Sequence, residues 1–422
     1  MSNKISSAPG CADPFDPSSI SLAEALSKIQ QRVLPVHACE RLPIRDCLGR
    51  VNNEAVNSPH NVPPLPNSAM DGYAIAIASL EQGVISELED IGTAYAGTPF
   101  DGSCGPGQCV RIMTGALIPD GADAVVMQEQ TEINAAGKVR IDSDHRVGEN
   151  IRQAGEDVRQ GEIVIEAGAR LSPADLGVLA SLGLGQLQVK RKPVVAFFST
   201  GDELVPVGTP LEPGKIYDSN RYSLHGMLSN MAVDIIDLGV VRDNLDSMRE
   251  VLTKASTQAD LIISTGGVSV GEADFIKPAL ADLGTTEFWK IAIKPGRPLT
   301  FGQINASIFM GLPGNPVAVM VTFSQFVVPA IQALAGTSPR RPALFRARAV
   351  DKMHKKPGRH EFQRGIATLD DNNEWQVAKT GQQGSGILTS MSRANCFIVL
   401  PDDNVGVEPG DEVDIQFFDW SL

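Results

Sequence analysis

The chain has 422 residues, 50 of them acidic and 36 basic, and a formal net charge of −14. That balance argues against a general binder of nucleic acid or anionic membrane, which needs a basic face, but leaves room for clustered lysines around a small anionic substrate. At about 100–200 residues per domain the length predicts two to four domains, and 42% apolar content can supply their cores. The first 19 residues contain no apolar stretch of the signal-peptide kind and read as a short flexible tail. Six cysteines (Cys11, Cys39, Cys47, Cys104, Cys109, Cys396) without a CxxC pair read as reduced thiols. Both observations point to the cytoplasm.

In chain order, residues 20–35 predict a helix. It is opened by a Ser21/Glu24 capping box and carries Leu22, Leu26 and Ile29 on its apolar face. A Gly/Pro-rich region follows with short strands at 71–77, 109–115 and 122–128, as in a small β domain. A second helix starts at Ser172-Pro173. From Pro193 the pattern changes to apolar runs (194–200, 233–241, 261–267, 307–314) separated by helical stretches (222–231, 245–256). Such alternation predicts a doubly wound parallel sheet, whose ligands bind at the carboxyl ends of the strands. No Asp, Glu, Lys or Arg occurs between Pro298 and Pro339. The stretch after Pro313-Gly314-Asn315-Pro316 reads as a buried core helix rather than a membrane span, with Asn315 as N-cap, Gly336 as stop and a stripe of Met320, Phe323, Val327, Ile331 and Leu334. Alternating apolar residues after Pro339, such as Phe345/Ala347/Ala349 and Val413/Ile415/Phe417, predict a terminal β domain of about 80 residues.

Five segments carry candidate chemistry. Asn67–Tyr73 contains Asp71-Gly72, a carboxylate on a bend, although Asp-Gly alone equally fits a hairpin turn. Ser199–Leu204 and Ser264–Asp274 each follow a strand and combine glycine, hydroxyls and acids. Either could be a structural βα turn, but two at strand ends favour an oxyanion or nucleotide site, the acids suiting Mg²⁺. Neither fits a P-loop or a GxGxxG fingerprint. In 288–298, read as a strand, Trp289, Ile291 and Ile293 face one way and Lys290, Ala292 and Lys294 the other. With Arg297 they form a cationic strip for an anion, or else a lysine-protected edge strand. Gly311–Pro316 is a rigid strand-to-helix turn offering free amides to an anion. The histidines show no HxxxH or HExxH spacing, so zinc and Ser–His chemistry lack support.

The motifs NSAMDGYA, RIMTGA, GEDV, STGDELV, YDSNRYSL, STGGVSVGEADF, KPGRPLTFG and GLPGNPVAV, in this order between about 67 and 320, resemble the molybdopterin molybdenumtransferases. The gephyrin E domain belongs to the same family. The resemblance implies a central doubly wound parallel α/β domain for molybdopterin, a small β-rich second domain, a split linker domain and a C-terminal β-barrel. Their expected bounds are 18–57 with 154–192 for the split domain I, 58–153 for II, 193–340 for III and 341–422 for IV. It implies a homodimer whose active site is shared between domain III of one subunit and domain II of the other. The activity implied is Mg²⁺-dependent insertion of molybdate into adenylyl-molybdopterin with release of AMP, with molybdopterin adenylyltransferase and molybdoenzyme maturation proteins as partners and neither nucleic acid nor membrane involved.

Carried onto this sequence, the family pattern makes Asp71, Glu203, Asp274, Lys290 and Lys294 catalytic, with Asp274 and Glu203 as first candidates for Mg²⁺. Substrate contacts fall on Thr114, Asp157, Ser199, Gly201, Asp243, Gly266, Gly267, Ser269, Arg297, Pro313, Gly314, Pro316, Arg364 and Ser385. Two departures stand out: Pro66 replaces a family Asp, and Arg297 stands where KPGKP has its second lysine. Two other readings share the fold: a non-catalytic pterin-binding scaffold, which need not keep the acid and lysine sets, and a molybdopterin adenylyltransferase, a homologous α/β module against which the second and fourth domains count.

Overall fold

The computed structural model describes residues 18–267, 275–339 and 341–418. The described residues form two compact units, one of residues 41–48 and 52–189, the other of 18–40, 49–51 and the described residues from 190 to 418.

Helix α1 (Leu22–Arg32) belongs to the larger unit and packs Ala25, Ile29 and Val33 into the core that holds Phe197 and Ile263. Ser21 caps it by accepting the Glu24 amide at 3.1 Å. The reciprocal half of the expected capping box is replaced by an ion pair from Glu24 to Lys28 at 3.2 Å.

The smaller unit is built on a six-stranded sheet: β1 (Gly72–Ile75), β2 (Ser86–Ala94), β3 (Gln108–Ile112), β4 (Ala124–Met127), β5 (Glu132–Ile133) and β6 (Val139–Ile141), in the order β4-β1-β3-β2-β6-β5. β1 lies so close to β4 that a Cβ on Gly72 would overlap the Val126 carbonyl. Glycine is therefore required there for the ladder to close. A separate cluster around Cys47, Leu171, Leu179 and Val189 holds α2 (Pro173–Ser181). That helix has the complete capping box, between Ser172 and Asp175, which the first helix lacks.

The larger unit contains the predicted α/β layer. β7 (Val194–Thr200), β8 (Asp234–Val241), β9 (Leu261–Thr265) and β13 (Ser307–Leu312) are parallel; β10 (Gly284–Lys290) and β12 (Pro298–Ile304) add an antiparallel edge. The order β8-β7-β9-β13-β12-β10 makes the sheet mixed rather than wholly parallel. β12 turns into β13 through Asn305-Ala306 alone, a connection with no room for a crossover helix, so the two strands pair antiparallel. Helices α3 (Ser219–Ser229), α4 (Leu245–Ser256) and α5 (Ile276–Leu283) cover the sheet. β11 (Ile293–Lys294) leaves this sheet and pairs in parallel with His360 and Glu361 of the terminal barrel.

After β13, α6 (Pro316–Thr322), a π turn at Phe323–Val327 and α7 (Val328–Leu334) form one continuous apolar segment. The wide turn lies just ahead of Pro329, whose ring and missing N–H cannot be fitted into regular α-helix. The segment is long and apolar enough to span a bilayer, but 78% of its apolar window is buried in the protein, as a core helix should be. Burial runs all round it, not along one stripe: Val317, Val319, Val321, Phe323 and Phe326 all lie in the core. Gly336 ends it through a Schellman pair, with the Thr337 and Gly336 amides donating to the Gln332 and Ala333 carbonyls.

The terminal region is a closed barrel of five strands, β14 (Phe345–Ala349), β15 (His360–Leu369), β16 (Trp375–Lys379), β17 (Cys396–Leu400) and β18 (Glu412–Phe417), with β11 added beside β15. β15 pairs with both β16 and β17 and closes it. A short helix, α8 (Leu388–Arg393), which the sequence pattern did not suggest, lies between β16 and β17.

Candidate active site

The switch point of the α/β sheet lies between β7 and β9, because the strand order turns there. β7 ends in Ser199-Thr200 and β9 in Ser264-Thr265, and all four side chains are buried. Thr265 Oγ1 donates to Ser199 Oγ at 3.0 Å, whereas Ser264 Oγ has no partner. Gly266 and Gly267 follow at φ +86° and +64°. A Cβ on Gly266 would strike the Thr200 carbonyl, and one on Gly267 would lie 2.8 Å from Ile276 Cδ1. Only glycine lets the two loops approach this closely. Ser269 and Asp274, farther along the β9 loop, lie outside the described residues.

Two carboxylates flank the β7 loop. Asp243 Oδ1 accepts the Thr200 hydroxyl and stands just before Asn244, the N-cap of α4. Glu203 is exposed and folds over Gly201, where a Cβ would come 2.8 Å from its carboxylate oxygens. Among the described residues no three His, Cys, Asp or Glu side chains converge as a metal site. An exposed single carboxylate suits Mg²⁺, which takes most of its ligands from phosphate and water. Glu203 fits that role; the other expected ligand, Asp274, is not described.

The Gly311–Pro316 turn lies beside these loops. A Cβ on Gly314 would come within 3.8 Å of Gly266 Cα, and Asn220 Nδ2 donates to the Gly314 carbonyl at 2.7 Å. Pro316 takes the first position of α6 and Asn315 the N-cap position, but the Asn315 side chain makes no capping bond. Nor are all the amides free as expected: Val317 N–H donates to the Ser385 carbonyl at 3.1 Å. Ser385 is thereby brought against the turn.

Its neighbour Gly384 accepts Arg364 Nη2 at 3.0 Å, while Arg364 Nε donates to Ser390 Oγ at 3.0 Å. Arg364 is only 1% exposed. Burial pulls its pKa down to about 10, with the nearby Glu361 opposing the shift. The guanidinium is still charged at neutral pH.

The lysine strip is part of the same unit. Trp289, Ile291 and Ile293 are buried and Lys290 and Lys294 exposed, as the period of two requires. The segment is not one strand: β10 ends at Lys290, Ile291 bridges Ile20, and β11 begins at Ile293. Arg297 departs from the surface strip and is 7% exposed. Lys294 is not an isolated cation either, since its Nζ donates to Glu361 Oε1 at 2.9 Å.

In the smaller unit, Asp71 Oδ1 accepts both the amide and the hydroxyl of Thr114 at 2.7 Å. These bonds, the backbone one foremost, hold the Asp71 carboxyl below its usual range. Asp71 and Thr114 are thus paired and exposed, while Asp157 sits on another turn, its amide donating to Val62 O at 3.0 Å. An open cavity of about 690 Å³ in this unit is lined by Pro66, Phe100, Ile118, Val147, Asp101 and Asp120 among others, and by none of the expected site residues. Residues not carried over as site residues include Thr200, within the STGDELV motif, and Glu361, Ser390 and Gln383, whose Oε1 accepts the Arg364 amide at 2.7 Å. A Glu-x-Gln-Arg run inside an otherwise apolar strand was the available signal for Glu361.

The switch point, floored by hydroxyls and glycines, defines an α/β protein with a β-barrel attached, of the kind whose ligands bind at the carboxyl ends of the strands. The chain belongs to the MoeA family of molybdopterin molybdenumtransferases. Residues 20–183 match "MoeA N-terminal region (domain I and II)", 196–333 "Probable molybdopterin binding domain" and 346–418 "MoeA C-terminal region (domain IV)". It is 42% identical to the molybdopterin molybdenumtransferase of Haemophilus influenzae over 96% of this chain and 100% of that one. The Nostoc enzyme of the same name is 36% identical over 86% and 85% of the two chains. The crystal structure of the Pyrococcus horikoshii molybdopterin biosynthesis moeA protein superposes with a TM-score of 0.81 at 30% identity, covering 95% of this chain and 100% of that one.

Proposed function

We propose that this protein inserts molybdate into adenylyl-molybdopterin and releases AMP, yielding the molybdenum cofactor. The observation that carries the reading is the convergence of the β7, β9 and β13 loops, which are glycine- and hydroxyl-rich, with Ser385 and the buried Arg364.

The substrates are anions, and the chain's own groups match them. Arg364, fixed by Ser390 and Gly384, would set a buried positive charge behind the Ser385 turn, where it attracts phosphate or molybdate. Lys290 and Lys294 add positive charge, the latter from an ammonium that Glu361 holds at 2.9 Å. The Ser199, Thr200, Ser264 and Thr265 hydroxyls and the Gly266-Gly267 backbone form the floor. Cleaving an adenylate asks little covalent chemistry of a protein, so positioning and charge neutralisation carry the rate. Glu203 and Asp274 would hold Mg²⁺, which would supply charge neutralisation at the phosphates. Asp71, oriented by Thr114 and carried by the β-rich domain of a second subunit, would contact the same substrate, and so would Asp157 of the split domain I. The reading therefore includes a homodimer, a four-domain division at 18–57/154–192, 58–153, 193–340 and 341–422, and a place in the cytoplasm beside molybdopterin adenylyltransferase and the proteins that accept the cofactor.

The test is AMP release from adenylyl-molybdopterin with Mg²⁺, measured with and without molybdate. Molybdate-dependent release is expected; none above the protein-free rate would remove the reading.

A further inference from the structure

Lys294 is half exposed, yet the group that holds it is buried. Glu361 is 6% exposed and stands opposite Lys294 in the parallel β11–β15 ladder. Its Oε1 accepts Lys294 Nζ at 2.9 Å and Gln363 Nε2 at 3.0 Å. Gln363 is buried as well, and its Oε1 has no hydrogen-bond partner. The pairing fixes the lysine main chain to β15 while the carboxylate fixes the end of its side chain.

A carboxylate and an amide buried in a barrel strand are a poor choice for stability. Two charges withdrawn from water recover their desolvation cost only with good geometry, and apolar residues of the same volume often serve better. The charged groups facing Glu361 explain its presence. Lys294 is its ion-pair partner; Lys355 and Arg364 lie within its field. Lys355 is buried and satisfied by the carbonyls of Lys356, Asp402 and Asn404 at 3.3, 3.4 and 3.2 Å. Arg364 is satisfied by Ser390 and Gly384. Lys294 is the exposed one of the three cations, and the one Glu361 touches.

We propose that Glu361, oriented by Gln363, is a positioning residue that holds the Lys294 ammonium in place for the anionic substrate. A lysine ammonium has three donors, so Lys294 can keep Glu361 and still donate to a phosphate or molybdate oxygen. Free of Glu361, its flexible stem would have to be ordered during each turnover. The terminal barrel thus contributes to the reaction through a lysine carried by the α/β domain's own sequence. This inference rests on the reaction proposed above.

The experiment is a double-mutant cycle on molybdate-dependent AMP release. Glu361→Gln keeps the shape of the side chain and removes its charge; it should lower kcat/KM about tenfold, a part of the roughly 100-fold that a misplacement of about 1 Å can cost. Lys294→Ala should lower it further, and the double variant should be no worse than Lys294→Ala alone. A merely structural Glu361 would move the melting temperature without this coupling. Gln363→Met, which keeps the volume but removes the orienting donor, should cost about threefold, again only when Lys294 is present; it serves if Glu361→Gln fails to fold. An active wild type in which these variants keep full kcat/KM, or in which the losses multiply, overturns the inference alone. A wild type without molybdate-dependent release overturns the reaction and the inference together.

Discussion

The two units hold charged side chains in opposite ways, one on a strand and one on a turn. In the larger unit, Arg364 is sealed inside the protein and held at both ends of its guanidinium by groups that are themselves fixed. In the smaller unit, Asp71 stands in solvent and is held by one residue, Thr114. The difference teaches which link each residue serves. Burying a cation costs stability and fixes its position, whereas an exposed carboxylate on a turn can be lost with little effect on the fold.

The largest expected effect is at Arg364. Arg364→Met should abolish molybdate-dependent AMP release, by about 100-fold or more, and destabilise the larger unit by about 3 kcal/mol because Ser390 and Gly384 lose their donor. Activity assays and urea denaturation check both numbers; an active variant would deny Arg364 its role. Next comes Gly72→Ala, where the added methyl meets the Val126 carbonyl across the β1–β4 ladder. A loss of about 2 kcal/mol or more in the smaller unit is expected, and an unchanged denaturation midpoint would show that the ladder is looser than described.

Asp71→Asn should leave the midpoint unchanged while reducing turnover, which separates it from Arg364. Its titration sharpens the contrast. Because the folded pKa lies below the ordinary value of 3.8, the Thr114 bonds contribute fully above that value and are lost as the pH falls through the lower folded pKa. Carboxyl NMR should show Asp71 titrating below 3.8, and Thr114→Val should raise the midpoint; a midpoint at or above 3.8 in the wild type would contradict the pairing. The smallest effect concerns thiols. Burial pushes Cys109 and Cys396 up to about 12, while Cys39 is partly accessible. A thiol reagent at pH 8 should therefore label Cys39 quickly and leave Cys109 and Cys396 unmodified until the protein unfolds.

Much of this was legible in the residues. The runs 194–200 and 261–265 are continuously apolar and end in hydroxyls and glycine, so both the strands and their chemistry could be read locally. The alternation at Trp289–Lys294 placed the lysines outside because a strand's period is two. What could not be read depends on distant partners. Nothing near Lys294 indicates Glu361, 67 positions away, nor does the FQRG motif indicate that Arg364 is almost wholly buried. Arg297 was expected on the surface strip from its adjacency to Lys294, but adjacency does not decide burial once the chain passes from β11 into β12. The antiparallel edge was missed for a similar reason, since an apolar run does not announce its direction.

The central claim is that the switch-point loops and Arg364 bind the anionic substrates of a molybdate-insertion reaction. Its most direct test is AMP release from adenylyl-molybdopterin by the full chain with Mg²⁺, titrated with molybdate, in the wild type and in Arg364→Met. The account predicts saturable molybdate-dependent release that the variant loses while still folding. Release independent of molybdate, or equal in the two proteins, would contradict it.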